Sequence, residues 1–555
     1  MANKNIFSSS TPGKTSPVAN TVNHAGGKAY ELTAKQALAQ YAVTGTFNDT
    51  YYTKGADQLT TTLQLCAKVD PTFIAKTAIY SRMSGKMKDM PALLCAHLSM
   101  RGDEGMALLK LIFPVVINNG KMLRNFVQII RSGVVGRKSL GSGPKKLVKA
   151  WFASRTSEEI FRQSTGNDPS IADVIKLVHM SPESEERRAL YGYLAEVEAN
   201  KTYTVERVNK KVGDKFSVTV KNYDPRSLPA IVKQYEEFKN NKKEGKTVAE
   251  LPAVPLEMLE GLGLSQTEWD QLARMASWSQ IRHKLNTFLR HGVLNNKATV
   301  TFLANKLRDA EQIQRAKIFP YQLFTAYKNI EAGIPREIVD ALHDAMEVAT
   351  KNVPVTSMKM RVAVDVSGSM GAPVTGNRGT ATTKTTCVDV ASLIASILLR
   401  KNTDCEVYPF DTDLRMDVKL EPRDTVMTNA SKIAMAAGGG TDCSAVLRYL
   451  NGKNDKGDVV IYVSDTESWA DPLYARATGM QAEWDKYRTR NPKAKLVCIN
   501  LAVNNTSQVV TDRATLNIGG WSDEMFSVIE DFLNGASGVD HWVAAIEAMQ
   551  LPTKS

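Results

Sequence analysis

Met360–Met370, MRVAVDVSGSM, restricts the fold of this chain more than any other stretch. Apolar and β-branched residues (Met360, Val362, Ala363, Val364, Val366) run straight into Ser367-Gly368-Ser369. Such a run, stopped by a Gly/Ser turn, predicts a strand buried on both faces of a parallel sheet. In an open α/β sheet, ligands sit beyond the carboxyl ends of the strands. The loop there offers Asp365, Ser367 and Ser369, hard oxygen donors suited to Mg²⁺ or another hard divalent cation. Alone, the pattern is equally an ordinary Ser-rich turn.

Two later stretches supply the missing context. Gly438-Gly439-Gly440-Thr441-Asp442 is a glycine loop entering an apolar helix, and Val459–Val463 is a second buried strand ending at Ser464-Asp465. Three loops at one sheet edge thus present Asp365, Ser367, Ser369, Thr441 and Asp465. Their order and setting resemble the metal-ion-dependent adhesion site of a von Willebrand factor A domain. Ser367, Ser369 and Thr441 would be neutral ligands, with Asp365 and Asp465 direct or through water. One or two carboxylates leave a divalent cation under-neutralised, with a position open to an acidic partner residue.

Strands and helices alternate through the last third of the chain. The strands are expected at Met360–Val366, Glu406–Phe410, Asp458–Val463 and Leu496–Ala502. The helices are expected at Val388–Lys401, Ser444–Leu450, Met480–Tyr487 and Glu524–Leu533. This is the pattern of a doubly wound parallel sheet. Before Pro354 the reading is different. From Thr33 to about 200, and again from 255, helices of roughly ten to fifteen residues follow one another with short turns, as in a helical repeat array. Thr202–Val208 and Lys215–Val220, with Val212-Gly213-Asp214 between, read as a β-hairpin inserted at 200–222. Asn240–Lys246 reads as a charged loop, and residues 1–25 as a flexible tail. The expected division is tail 1–25, helical array 26–354 and α/β domain 355–555.

Charge separates the same two parts. The 555 residues carry net +12. From Val355 onward there are 21 Lys and Arg against 24 Asp and Glu, leaving 49 against 34 before it. Positive charge confined to one region favours a polyanion. Residues 105–157 hold no Asp or Glu. Their cations include Arg124, Arg131, Arg137, Lys138, Lys145, Lys146 and Lys149, several around the glycine-rich run Gly136–Lys146. A helix beginning at Pro144 or Lys145 would turn its N–H groups outward beside them, which suits phosphate. The run lacks the spacing of a P-loop. His179 ends an apolar helical stripe (Ile171, Val174, Ile175, Val178), where an imidazole meets the helix C-terminal dipole.

Hydrophobic content of 43% and charged content of 23% are those of a globular chain. No apolar run approaches the roughly 20 residues of a membrane span, and the polar N-terminus lacks a signal core. A cytoplasmic monomer without membrane contact is expected. The six cysteines form no C-x-x-C pair and are expected as buried thiols.

Several stretches together resemble the Ro autoantigen family, a ring-forming TROVE module followed by a von Willebrand A domain. They are Thr50-Tyr51-Tyr52 with Lys54, Asp173 to His179 with Pro182, Ile318-Phe319-Pro320-Tyr321, and the three metal loops. The resemblance implies HEAT-like helical repeats closed into a ring by the A domain. It implies small structured Y RNA on the basic outer surface, and single-stranded 3′ ends of misfolded or immature RNA in the central hole. It also implies hand-over to a 3′-to-5′ exonuclease such as polynucleotide phosphorylase. His179 falls on an RNA-contacting histidine of the family, and Arg162 on an RNA-contacting lysine. The leading expectation is a non-catalytic RNA scaffold. A metal-dependent ribonuclease and a protein-binding adaptor acting through the A domain stay open as alternatives.

Overall fold

The computed structural model describes residues 16–208, 215–316, 320–353, 355–471, 476–522, 524–535 and 540–553. The chain's second half is built on five parallel strands, ordered Thr515–Gly519, Lys495–Asn500, Val459–Ser464, Met360–Asp365, Cys405–Phe410. Strand order reverses between Met360–Asp365 and Val459–Ser464, whose register pairs Val364 with Val463. Every residue of both strands is buried, as their unbroken apolar runs require. The reversal opens a crevice where the two chain directions diverge, and Asp365 and Asp465 stand at its rim. The helix Cys387–Lys401 begins with a capping box: Thr386 accepts from the Asp389 N–H, and Asp389 accepts from the Thr386 N–H. The edge strand Thr515–Gly519 is absent from the four expected strands.

The first half is an array of helices joined by short turns, and several begin with the S/T-x-x-E/Q signal. Thr33/Gln36, Thr156/Glu159, Ser265/Glu268 and Ser277/Gln280 all form reciprocal caps. In Gly120–Ser132 the buried stripe is Met122, Leu123, Phe126, Val127 and Ile130, closed by Gly133 at φ +87. The hairpin forms as expected, with Thr202–Val208 antiparallel to Lys215–Lys221; its turn at 212–214 lies outside the described residues, as do residues 318–319 and Pro354. The charged loop expected at Asn240–Lys246 is corrected. The helix Ala230–Lys243 runs through most of it, because Ile231, Val232, Tyr235 and Phe238 bury one face and Lys242 is tucked against the buried Glu268 at 2.7 Å, while Lys233 and Lys243 stay exposed. All six cysteines are free and buried. Among the described residues no helix is long and apolar enough to cross a membrane.

Both ends of the array dock on the α/β domain, so the chain closes into a ring. At the first junction, helix Ala34–Thr44 packs against the Thr515–Gly519 strand and the helix His541–Ala548. At the second, helix Pro320–Asn329 packs on Cys387–Lys401, where Lys328 Nζ reaches Asp389 at 2.7 Å and the Thr385 hydroxyl donates to Thr325. Asp389 is therefore both a cap and a charge partner, and it is buried. Asp389→Ala should cost about 3 kcal/mol, the sum of a lost cap and an unpaired, half-shielded lysine. Faster hydrogen exchange across 320–329 with a lower melting temperature is the expected readout.

The tail expected at 1–25 is corrected for residues 16–25; residues 1–15 lie outside the described residues. Thr21–Val22 pairs with Lys28–Glu31, which in turn pairs with Thr506–Ser507 of the α/β domain. Ala19 N–H donates to the Arg476 carbonyl at 2.9 Å, and Asn23 Nδ2 to that of Ser468 at 2.8 Å. The segment is held by backbone pairing, which leaves no apolar periodicity to read.

Candidate cation pocket and basic cluster

The three loops converge at the crevice. Asp365 Oδ1 accepts from the Ser367 N–H at 2.8 Å, and Oδ2 accepts from the Ser464 hydroxyl at 2.5 Å. The Ser367 and Ser369 hydroxyls are 3.3 Å apart. The Gly368 N–H donates to the Gly439 carbonyl, and the Gly438 N–H to that of Val366, so the glycine loop is stitched to the first loop. Gly439, at φ +79, comes so close to Asp411 that a Cβ would fall 2.8 Å from its carboxylate. Thr441 flanks the pocket, and its carbonyl accepts from the Trp469 and Ala470 N–H groups. Thr466 takes φ +60, unusual for a β-branched residue, and is held there by Asn500 and Asn504, which both donate to its hydroxyl. Strain of this kind costs roughly 1–3 kcal/mol and collects at ligand sites.

Asp365, Ser367, Ser369, Thr441 and Asp465 are all buried. Burial, followed by the Asp365 charge, pushes Asp465 up to about 8; burial, with Asp411 nearby, also raises Asp365. Among the described residues neither carboxylate has an ion-pair partner. Two buried carboxylates beside three hydroxyls are a donor set that answers to a hard divalent cation. Among the described residues no three His, Cys, Asp or Glu side chains converge on a metal-like point. The pocket therefore depends on its hydroxyls, and soft-metal chemistry has no ligand set there. Ser464, bonded to Asp365, adjoins the expected residues but is not among them.

The basic residues divide into two groups. A groove of about 640 Å³ is lined by Lys88, Lys121, Arg124, Arg162 and the N-terminus of the Gly120–Ser132 helix. Lys88 also feels Lys121 and Arg378, and His283 feels Lys88, Arg282 and Lys284. These residues come from the start of the array, from helix Trp278–Arg290 on its far arm, and from the α/β domain. Groups so far apart around a ring meet only across its interior. Lys88 and His283 touch solvent, yet burial lowers the pKa of both, His283 to about 4, as for groups facing a narrow, protein-walled space. Lys88, Lys121 and Arg378 make no ion pair among the described residues. Sequence reading missed Lys88, Arg378 and His283, since no local run joins them, and placed Lys121 only among the cations of the acid-free stretch 105–157.

The remaining expected contacts lie elsewhere. Arg131 faces a second groove with Asp168 and Asp173. The helix carrying Lys145, Lys146 and Lys149 spans Ser142–Ala153, starting before Pro144, and its N-cap Gly141 takes φ +67. Arg137 donates to the Leu140 carbonyl and Arg124 to that of Thr165, so both are partly committed to holding loops. Lys138 is exposed. His179 is the exposed C-cap of helix Ile171–Val178, at φ +54. That helix packs on Gly120–Ser132 and Ser142–Ala153.

Residues 359–533 match the Ro60 vWA domain family. An RNA-binding protein RO60 of Deinococcus radiodurans is 26% identical over 272 residues, covering 44% of this chain and 47% of that protein. An RNA-binding protein RO60 of Caenorhabditis elegans is 23% identical over 445 residues, covering 71% and 66%. The chain thus spans about half the length of the first relative and about two thirds of the second. The crystal structure of the Deinococcus radiodurans Ro (RSR) protein superimposes with a TM-score of 0.61 at 17% identity, covering 91% of this chain and 100% of that one.

Proposed function

We propose that this Ro-like chain, a helical-repeat ring closed by a von Willebrand A domain, is a non-catalytic scaffold that binds RNA. The reading rests above all on the cluster of Lys88, Lys121, Arg378 and His283, drawn from three parts of the ring. A strand end with no pairing partner fits such a space, and its phosphates meet the unpaired cations Lys88, Lys121 and Arg378 beside the neutral His283 ring, which bonds to Arg282 at 2.7 Å. Selection there would be by strandedness rather than by base. The outer cations Arg131, Lys138, Lys145, Lys146, Lys149 and His179 would then hold a structured, Y-like RNA. A 3′-to-5′ exonuclease such as polynucleotide phosphorylase would receive misfolded or immature ends, in a cytoplasmic, monomeric complex.

The A-domain pocket would hold Mg²⁺ or a similar cation through Asp365, Ser367, Ser369, Thr441 and Asp465. The cation there supplies positive charge to two buried carboxylates and a position for one more oxygen ligand. The hydroxyl–carboxylate pair in that set, Ser464 with Asp365, is buried away from a water or substrate, which favours binding over hydrolysis.

The test compares a hairpin carrying a single-stranded 3′ tail with the same hairpin blunt. The tailed RNA should bind more tightly, with affinity falling steeply as salt rises. It should also bind more tightly as pH falls from about 6.5 toward 4. Folding holds His283 neutral, so its contribution to stability is present above its ordinary pKa and lost as pH falls toward about 4. A phosphate beside it reverses that preference. Equal affinity for both RNAs would remove the interior site from the reading.

A further inference from the structure

We infer that the cation pocket is shared between the two halves of the chain: Tyr52 of the helical region closes over Ser369 and Asp465, so that a bound divalent cation pins the first junction of the ring shut. This rests on the reading that the pocket holds a cation. A cavity of about 30 Å³ lies between the halves, walled by Thr44, Thr50 and Tyr52 on one side and by Ser369, Asp465 and Val503 on the other. It has room for one water or ion. The Tyr52 phenol interacts with the Ser369 hydroxyl and lies in the field of Asp465 and Glu467.

Tyr52 is presented by a fixed loop. Asn48 Nδ2 donates to the Thr375 carbonyl at 2.8 Å, and the Asn377 N–H donates to the Asp49 carbonyl at 2.7 Å. The Asp49 carboxylate accepts from the Gly55 N–H at 2.9 Å, and a Cβ on Gly55 would lie 2.2 Å from the Phe47 carbonyl. The His24 ring stacks on Tyr52 at 6.2 Å and 15°. Its Nδ1 lies 3.0 Å from Glu467, whose other oxygen accepts from the Ala25 N–H. Glu467 is fully buried, and these partners belong to the N-terminal strap. A Cβ on Gly27 would meet the Ser468 carbonyl at 1.9 Å, so the strap lies flush on the loop that carries Asp465. Two layers from outside the A domain therefore cover the pocket.

The consequence is a linkage. Without a cation, two buried carboxyl groups that cannot both ionise face a closed roof; with one, roof and floor share a ligand, and cation binding and junction closure reinforce each other. An acidic residue of a partner reaches the cation only if Tyr52 moves, so partner docking and closure compete.

Hydrogen exchange of the full chain in Mg²⁺ and in EDTA reads this directly. Mg²⁺ should slow exchange across residues 47–55 on the order of tenfold, the scale of one added polar contact. Tyr52→Phe, which keeps the ring and removes only the hydroxyl, should lose that slowing and bind Mg²⁺ several-fold more weakly by calorimetry. If wild type binds Mg²⁺ but exchange at 47–55 does not respond, the pin is wrong and the pocket stands. Unchanged Mg²⁺ affinity and unchanged slowing in Tyr52→Phe would likewise overturn the pin and leave the pocket standing. If wild type binds neither Mg²⁺ nor Mn²⁺ at millimolar concentration, the pin and the cation reading fall together.

Discussion

Lys88→Glu combined with Lys121→Glu is expected to weaken binding of single-stranded RNA on the order of 100-fold at about 0.15 M salt. The size follows from counterion release. A single strand gives a slope of roughly 0.7 per neutralised phosphate, so each contact is a factor of about 4 at that salt. Reversal of two lysines removes two attractions and adds two repulsions, and the salt slope should fall by about 1.4 for the lost contacts alone. Both side chains are exposed and unpaired, so the fold should tolerate the change. The helix dipole at Gly120–Ser132 even favours a carboxylate at Lys121, in the first turn. Binding of a blunt hairpin should change little if it uses the outer cations. Fluorescence anisotropy across a salt series checks both numbers, and unchanged tail affinity would move the site off the ring interior.

The contrast between these lysines and the metal loops shows what was legible in the sequence. Asp365, Ser367 and Ser369 lie within five residues, and Thr441 and Asp465 each follow a local signature, a glycine loop and a buried strand. Their convergence then follows from the rule that parallel strands end at one edge. The expected strands Met360–Val366 and Asp458–Val463 agree with the observed Met360–Asp365 and Val459–Ser464 to within a residue at each end. Lys88, Arg378 and His283 carry no such signature, and Lys121 carries only its place in the acid-free stretch 105–157. They meet because a long array of helices returns on itself, and that curvature is a sum of small packing angles that no short window holds. The strand Thr515–Gly519 escapes for a different reason: at a sheet edge, TLNIG needs no sustained apolar run. The strap at 16–31 and Tyr52 over the pocket share the difficulty, since extended backbone bonded to a distant loop is locally silent. Helix Ala230–Lys243 is not read as a helix in the sequence, because its lysine-rich end looks like a charged loop when the buried stripe beneath is sparse.

Asp365→Asn is expected to change stability in opposite directions with and without cation. The substitution keeps the shape and the bond from the Ser367 N–H, and the Ser464 hydroxyl can rotate to accept where it now donates. What it removes is the carboxyl group whose field adds to burial in holding Asp465 near 8, so the buried pair no longer has to share a proton at neutral pH. In EDTA the variant should therefore melt above wild type, by a margin on the order of 1 kcal/mol. In Mg²⁺ the order should invert. Wild type gains RT ln(1 + [Mg²⁺]/Kd), about 2.7 kcal/mol at a hundredfold excess over Kd, and the variant, lacking a ligand charge, gains almost nothing. A purely structural Asp365 would give a different pattern: the difference in melting temperature between variant and wild type would be the same in both media. A variant still stabilised by Mg²⁺ as strongly as wild type would place the cation elsewhere. The inversion in differential scanning fluorimetry is the signature of a carboxylate kept under repulsion so that a cation can relieve it.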